Sequence, residues 1–153
     1  MEETHRIKKL FTDLYNGNPW LDVTLVGTLE NISAEKAAAK PAAGGNSIWE
    51  IANHLVSWRE NVLQRITGIE IVSPEHNYIL PIGDTSEPAW QQTLKNLEAS
   101  QQKWENFLSE MIDADLSGIY PPNGHTHYEH IHGIIQHDAY HLGQIVLIAK
   151  YLV

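Results

Sequence analysis

The sequence predicts an all-α protein, a four-helix bundle with a long loop between its second and third helices and a crossover loop before its fourth. Apolar residues recur at spacings of three and four over long stretches, and capping residues, glycines and prolines bracket those stretches. No segment shows the alternation of a half-buried strand. At 153 residues the chain has the size of one domain, residues 1–153, with a full hydrophobic core. No internal repeat or low-complexity tract divides it.

Ile7, Leu10, Phe11, Leu14 and Tyr15 mark a first amphipathic helix that stops near Gly17 and Pro19. Leu21, Leu25, Val26 and Leu29 then read as a short continuation after a bend, and Ser33 caps a further turn from Ala34 to Lys40 that Pro41 ends. Gly44 and Gly45 form a connector. Ser47 and Glu50 make a capping box, in which hydroxyl and carboxylate satisfy free N–H groups of the first turn. It opens a helix through Ile48, Ile51, Leu55, Trp58, Val62 and Ile66 that ends near Gly68, with His54 on its buried side.

Pro74, Pro81 and Gly83 make Gly68 to Thr85 a loop, with Tyr78, Ile79 and Leu80 lying over the bundle. A loop of that length shapes or covers a pocket more often than a shorter one, so the pocket lining is expected from it and from the amino-terminal halves of the helices. Ser86 and Pro88 start a third long helix, whose Trp90, Leu94, Leu97, Gln101, Trp104, Leu108 and Met111 keep a heptad spacing suited to core packing. Asp113 to Asn123 is the crossover loop. A capping box of Thr126 and Glu129 then opens a helix within Gly124–Val153, carrying Ile131, Ile134, Ile135, Leu142, Ile145, Val146, Ile148 and Ala149. Five tryptophans are expected to fill the space between the helices.

A net charge of −9 and a pI near 5.4 argue against nucleic acid or an anionic membrane as partner. A small-molecule substrate is the expected partner. With no cysteine, the chain has no disulfide, no thiolate ligand and no cysteine nucleophile. The segment Met1 to Arg6 lacks the basic and apolar regions of a signal peptide, and the apolar run Ile145–Val153 is broken by Lys150 and is short for a bilayer. A cytoplasmic location is the expectation.

The chemistry concentrates in the last helix. His137 and His141 stand at i and i+4, one turn apart, so their imidazoles can reach one metal ion. Counting turns puts His130, Ile134, His137, His141, Ile145 and Ile148 on one stripe, so both imidazoles point inward. The pair alone leaves two readings open, a metal site and a hydrogen-bonded polar cluster, because a buried imidazole needs partners for both ring nitrogens. His54, inward on another helix of a bundle, supplies the third ligand. Three neutral imidazoles leave open positions on a divalent ion, the arrangement of a catalytic site, where water or a substrate thiolate, alkoxide or carbonyl oxygen binds.

His130 is the reserve ligand, two turns before His137. His127, His130 and His132 otherwise read as a mainly surface cluster, and His5 and His76 take no role. Asp138 and Gln144 are candidates to orient an imidazole or the bound water from behind. The run from His137 to His141 has the spacing of a zinc-peptidase motif, but Asp138 replaces the glutamate base and no His, Asp or Glu follows His141, so peptidase chemistry is rejected.

Ser47-Ile48-Trp49-Glu50 with Asn53-His54-Leu55, the intervening Trp90, and His137-Asp138-Ala139-Tyr140-His141-Leu142-Gly143-Gln144-Ile145 together resemble the DinB/YfiT-like metalloenzymes. The likeness runs over nearly the whole chain, including Gly17-Asn18-Pro19-Trp20 and the turn from Ser33 to Pro41. It implies a four-helix bundle, commonly a homodimer, with a metal held at the positions of His54, His137 and His141. Better understood relatives use nickel, zinc or another divalent metal, iron and manganese among them, to activate a low-molecular-weight thiol. They transfer the thiol to an electrophile or use it in isomerising a dicarboxylic intermediate. The resemblance thus implies a thiol-dependent S-transferase or a related metal-dependent hydrolase. The alternative is a non-catalytic module on a helical bundle that binds a metal, a small molecule or a partner.

Overall fold

The computed structural model of the protein describes residues 2–42 and 44–151 and is all-helical. Four long helices, α1 (Glu3–Asn16), α4 (Ile48–Ile66), α5 (Glu87–Glu110) and α6 (His127–Tyr151), are joined by two single-turn helices, α2 (Leu25–Leu29) and α3 (Ala34–Ala38), and by a short 3-10 helix, Asp113–Ser117. α1 packs on α5, α5 on α4, α4 on α6, and α6 closes the ring on α1. Leu152 and Val153, the end of the expected last helix, lie outside the described residues. No helix among the described residues is long and apolar enough to cross a membrane.

The ends of the helices are set by the predicted residues. In the box at α4 the Glu50 amide donates to Ser47 Oγ at 3.2 Å and the Ser47 amide to Glu50 Oε2 at 2.8 Å. The box at α6 repeats this, with 3.1 Å to Thr126 Oγ1 and 2.7 Å to Glu129 Oε2. Thr24, Ser33 and Ser86 cap α2, α3 and α5 through their hydroxyls. Gly68, at φ +88°, ends α4 in the left-handed conformation, its amide donating to Arg65 O and that of Ile69 to Gln64 O. The crossover contains the 3-10 helix and one isolated bridge between Ile119 and Thr126, which the sequence did not announce.

The core forms two apolar clusters. One gathers Leu55, Trp90, Leu97, Leu142 and Ile145 with the α2–α3 region, the other Phe11, Val62, Trp104, Ile131 and Ile134. Between them runs a polar layer: fully buried Arg59 donates from Nε to Asp138 Oδ2 at 2.7 Å and from Nη1 to Gln101 Oε1 at 3.1 Å. Each member sits between apolar neighbours of its own helix, Arg59 between Leu55 and Val62, Gln101 between Leu97 and Trp104, Asp138 between Ile134 and Leu142. The layer therefore occupies core positions.

Two expectations are corrected. Trp49, Trp90 and Trp104 fill the core, but Trp20 is 96% exposed, and Trp58 is half-buried beside the histidines. The inward stripe of α6 is centred on Asp138, which is fully buried, while His137 and His141 sit at its edge and are only partly covered. Ile131, Ile134, Leu142 and Ile145 set the phase of the helix, and that phase points Asp138 at the centre and its neighbour one residue aside.

Candidate metal centre

Three imidazoles from two facing helices converge where α4 crosses α6. One ring nitrogen each of His54, His137 and His141 lies within 4.8 Å of the others, and ring centres stand 4.5 to 5.0 Å apart. His54 Nε2 and His137 Nε2 are 3.0 Å apart. Two nitrogens bound at about 2.1 Å to one ion stand about 3 Å from each other, so the spacing suits a shared cation.

Each Nδ1 faces an oxygen. His54 Nδ1 donates to the carbonyl of Asn77 at 2.7 Å, and His141 Nδ1 donates to Gln144 Oε1 at 2.6 Å, Gln144 being held in turn by Tyr140. Those bonds leave the Nε2 lone pairs of both rings free. His137 Nδ1 has Asp138 Oδ1 at 3.6 Å and, among the described residues, no hydrogen-bond partner. If His137 Nε2 carried the proton, it would donate to His54, but Nδ1 would then turn a lone pair on a buried carboxylate. With the proton on Nδ1, two Nε2 lone pairs confront each other at 3.0 Å. A cation between them removes the conflict, and the donor set therefore fits a divalent metal.

Protonation is disfavoured here. Burial, reinforced by His141 and His137 and only partly offset by the Asn77 carbonyl, pushes His54 down to about 4. Burial also lowers His141, with His137 adding to it and Gln144 opposing. Near neutral pH both rings are uncharged, the form in which imidazole binds metals.

The loop between α4 and α5 reaches the site by an unexpected device. Asn77 and Tyr78 both take the left-handed conformation, φ 51° and 58°, which a bulky residue adopts only when its surroundings hold it. Asn61 Nδ2 donates to the Tyr78 hydroxyl at 2.8 Å, and Trp58 Nε1 donates to Asn77 Oδ1 at 3.0 Å. The result aims the Asn77 carbonyl at His54. Nothing in the sequence announces this, because the contacts that hold Asn77 and Tyr78 come from another element.

The family model of the DinB superfamily matches residues 23–145, a span that includes all three histidines. The chain belongs to the DinB superfamily. No curated protein and no solved structure matches it. In this DinB-superfamily chain, the three-histidine group is compatible with metal binding.

His130 does not join the group. Its ring is buried against Tyr120 at 5.4 Å and His125 at 5.8 Å, one end of a cleft away from His137. The reading of His127, His130 and His132 as mainly surface is also corrected. His127 donates from Nδ1 to the Asp115 carbonyl at 2.9 Å with its ring against Gly118, and His132 is partly covered, with a buried Nε2. Asp138 spends one oxygen on Arg59 and holds the other 3.6 Å from His137, so its main partner is a residue that belongs to no sequence motif. Arg59 had one signal, a charge in phase with Leu55, Val62 and Ile66.

A cleft of about 410 Å³ opens beside His137, walled by Trp58, Arg65, His125, His130 and Ile134. It lies along the carboxyl-terminal half of α4 and the amino-terminal half of α6. The loop from Gly68 to Thr85, expected to line a pocket, lines none of this cleft and instead buttresses His54.

Proposed function

We propose that the protein is a divalent-metal-dependent enzyme whose ion is held by His54, His137 and His141, and that it is a thiol-dependent S-transferase or a related hydrolase. The observation that carries this reading is the convergence of the three rings, with His54 Nε2 and His137 Nε2 3.0 Å apart and the His54 proton held on Nδ1 by the Asn77 carbonyl. Bound there, a divalent ion would supply Lewis acidity that lowers the pKa of a thiol or water at its open positions.

The chain's own residues supply the rest. Asn77 and Gln144 fix the tautomers of His54 and His141 and prevent the rings from turning. Asp138 places a negative charge behind His137, which strengthens that imidazole as a donor. Trp58, 5.9 Å from the His137 ring, gives the cleft beside His137 an apolar wall, and that cleft admits a small molecule. The absence of cysteine in the chain leaves the thiol to a cosubstrate.

Elemental mass spectrometry on untagged protein tests the reading. Wild type should carry near one equivalent of a divalent metal, and His54→Ala and His137→Ala should lose it while keeping their helical circular dichroism. Thiol transfer to a panel of electrophiles, lost with the metal and restored by nickel or zinc, is the expected activity. A chain that cannot be loaded sinks the metalloenzyme. A loaded chain with no exchangeable position on the ion is a binding module instead.

A further inference from the structure

The cleft beside His137 ends in a cation that the rest of the fold leaves free. Of the three arginines, Arg6 pairs with Glu3 and Arg59 with Asp138, whereas Arg65 has no carboxylate within 4.0 Å among the described residues. Yet it is held firmly. Its Nη2 donates to Ser73 Oγ at 2.8 Å, and its guanidinium lies 5.5 Å from the Trp58 ring and 5.6 Å from the Tyr120 ring. Tyr120 is itself fixed by the Ile71 amide at 2.9 Å. The two rings and the hydroxyl hold the guanidinium, but among the described residues no anion neutralises its charge.

Next to it, His130 is 92% buried and makes no hydrogen bond from its ring among the described residues, Nε2 being wholly covered. Burial, then the charge of Arg65, lowers its pKa, so it faces the cleft as a neutral polar group. Among the described residues lining the cleft the one carboxylate, Glu129, is engaged by the Thr126 amide and hydroxyl at 2.7 and 2.9 Å. A chain of net charge −9 thus carries a preorganised, unpaired positive site at one end of a cleft and the histidine group at the other.

We infer that this cleft binds a small molecule bearing a single carboxylate, which Arg65 anchors while the remainder of the ligand extends along Trp58 and Ile134 towards His137. A fixed guanidinium matches a planar carboxylate, and one positive charge balances one negative charge. A cleft of about 410 Å³ takes a ligand of metabolite size. The inference rests on the reading of the three histidines as the reacting end of the cleft. The carboxylate comes either from the thiol or from its acceptor, and the two have the same chemistry at Arg65.

Calorimetric titration of the full chain with paired probes tests this, with and without metal. Phenylacetate against phenylacetamide stands for the acceptor, and mercaptoacetate against mercaptoethanol, measured after chelation, stands for the thiol. The expected result is a carboxylate preference of about tenfold or more in at least one pair, the pair showing it naming the source, as a hydrogen bond to a charged group warrants. Arg65→Gln should abolish that preference and leave neutral-probe affinity unchanged. Should Arg65→Gln fail to fold, Ser73→Ala, which frees the Nη2 anchor, should reduce the preference.

No preference in either pair overturns the inference, as does a preference that survives Arg65→Gln. Inorganic phosphate that competes as strongly as phenylacetate also overturns it, making the site a general anion site. Phenylacetate binding that vanishes on chelation but ignores Arg65→Gln places the carboxylate on the metal and removes Arg65. An Arg65-dependent preference in a chain that cannot be loaded with metal keeps the anion site and discards the metalloenzyme.

Discussion

His54 shows what a single ring contributes to both stability and chemistry. Folded, it is held down at about 4 against the 6.5 of an ordinary imidazole, so the unfolded chain binds its proton more readily. The stability it contributes is complete above pH 6.5 and is lost as the pH falls from there towards 4. His141, lowered by the same burial, acts in the same direction. Urea unfolding of chelator-treated protein should show a falling midpoint across that window, with a shallower fall in His54→Gln; equal slopes in the two proteins would refute the assignment. At Gln144, replacement by leucine removes the acceptor that fixes the His141 tautomer. Metal affinity should drop by about tenfold to a hundredfold in a chelator competition, with little change in unfolding midpoint.

At the scale of the elements, the sequence and the structure agree where local rules decide. Periodicity and caps place α1, α4, α5 and α6, because a capping box or a left-handed glycine acts within one turn and carries its own signature. Ser47→Ala should cost about 1 kcal/mol, and Gly68→Ala, which meets no neighbour but must keep φ +88°, a similar amount of about 1 kcal/mol, both read from urea midpoints. The three histidines were legible by the same token, two from their spacing on one helix and the third from its phase on another. What was not legible depends on contacts distant in sequence. The left-handed Asn77 and Tyr78 are dictated by Trp58 and Asn61 on a neighbouring element, and no turn motif announces them. The cleft is likewise a product of tertiary packing, which brings Arg65 of α4 against Tyr120 and His130.

For the whole molecule, the polar layer of Arg59, Gln101 and Asp138 ties three helices together behind the histidines. Fully buried ion pairs contribute little net stability, since desolvation offsets their attraction, but removing one partner strands the other. Arg59→Met should therefore lose about 3–5 kcal/mol, because the buried Asp138 carboxyl would be left without its donor. The double variant Arg59→Met with Asp138→Leu replaces the layer by apolar groups joining the two core clusters, and its stability should return to near wild type or above. Function should not follow. The double variant also strips the carboxylate oxygen that lies 3.6 Å from His137 Nδ1, so metal affinity should stay about tenfold or more below wild type although the fold is restored. Urea unfolding and metal titration on the same three proteins, wild type, Arg59→Met and the double variant, separate the two roles. Recovery of both together would show that the layer is there only to hold the helices. Recovery of stability alone would show that a buried charge is retained at the centre of the bundle for the sake of the imidazole beside it.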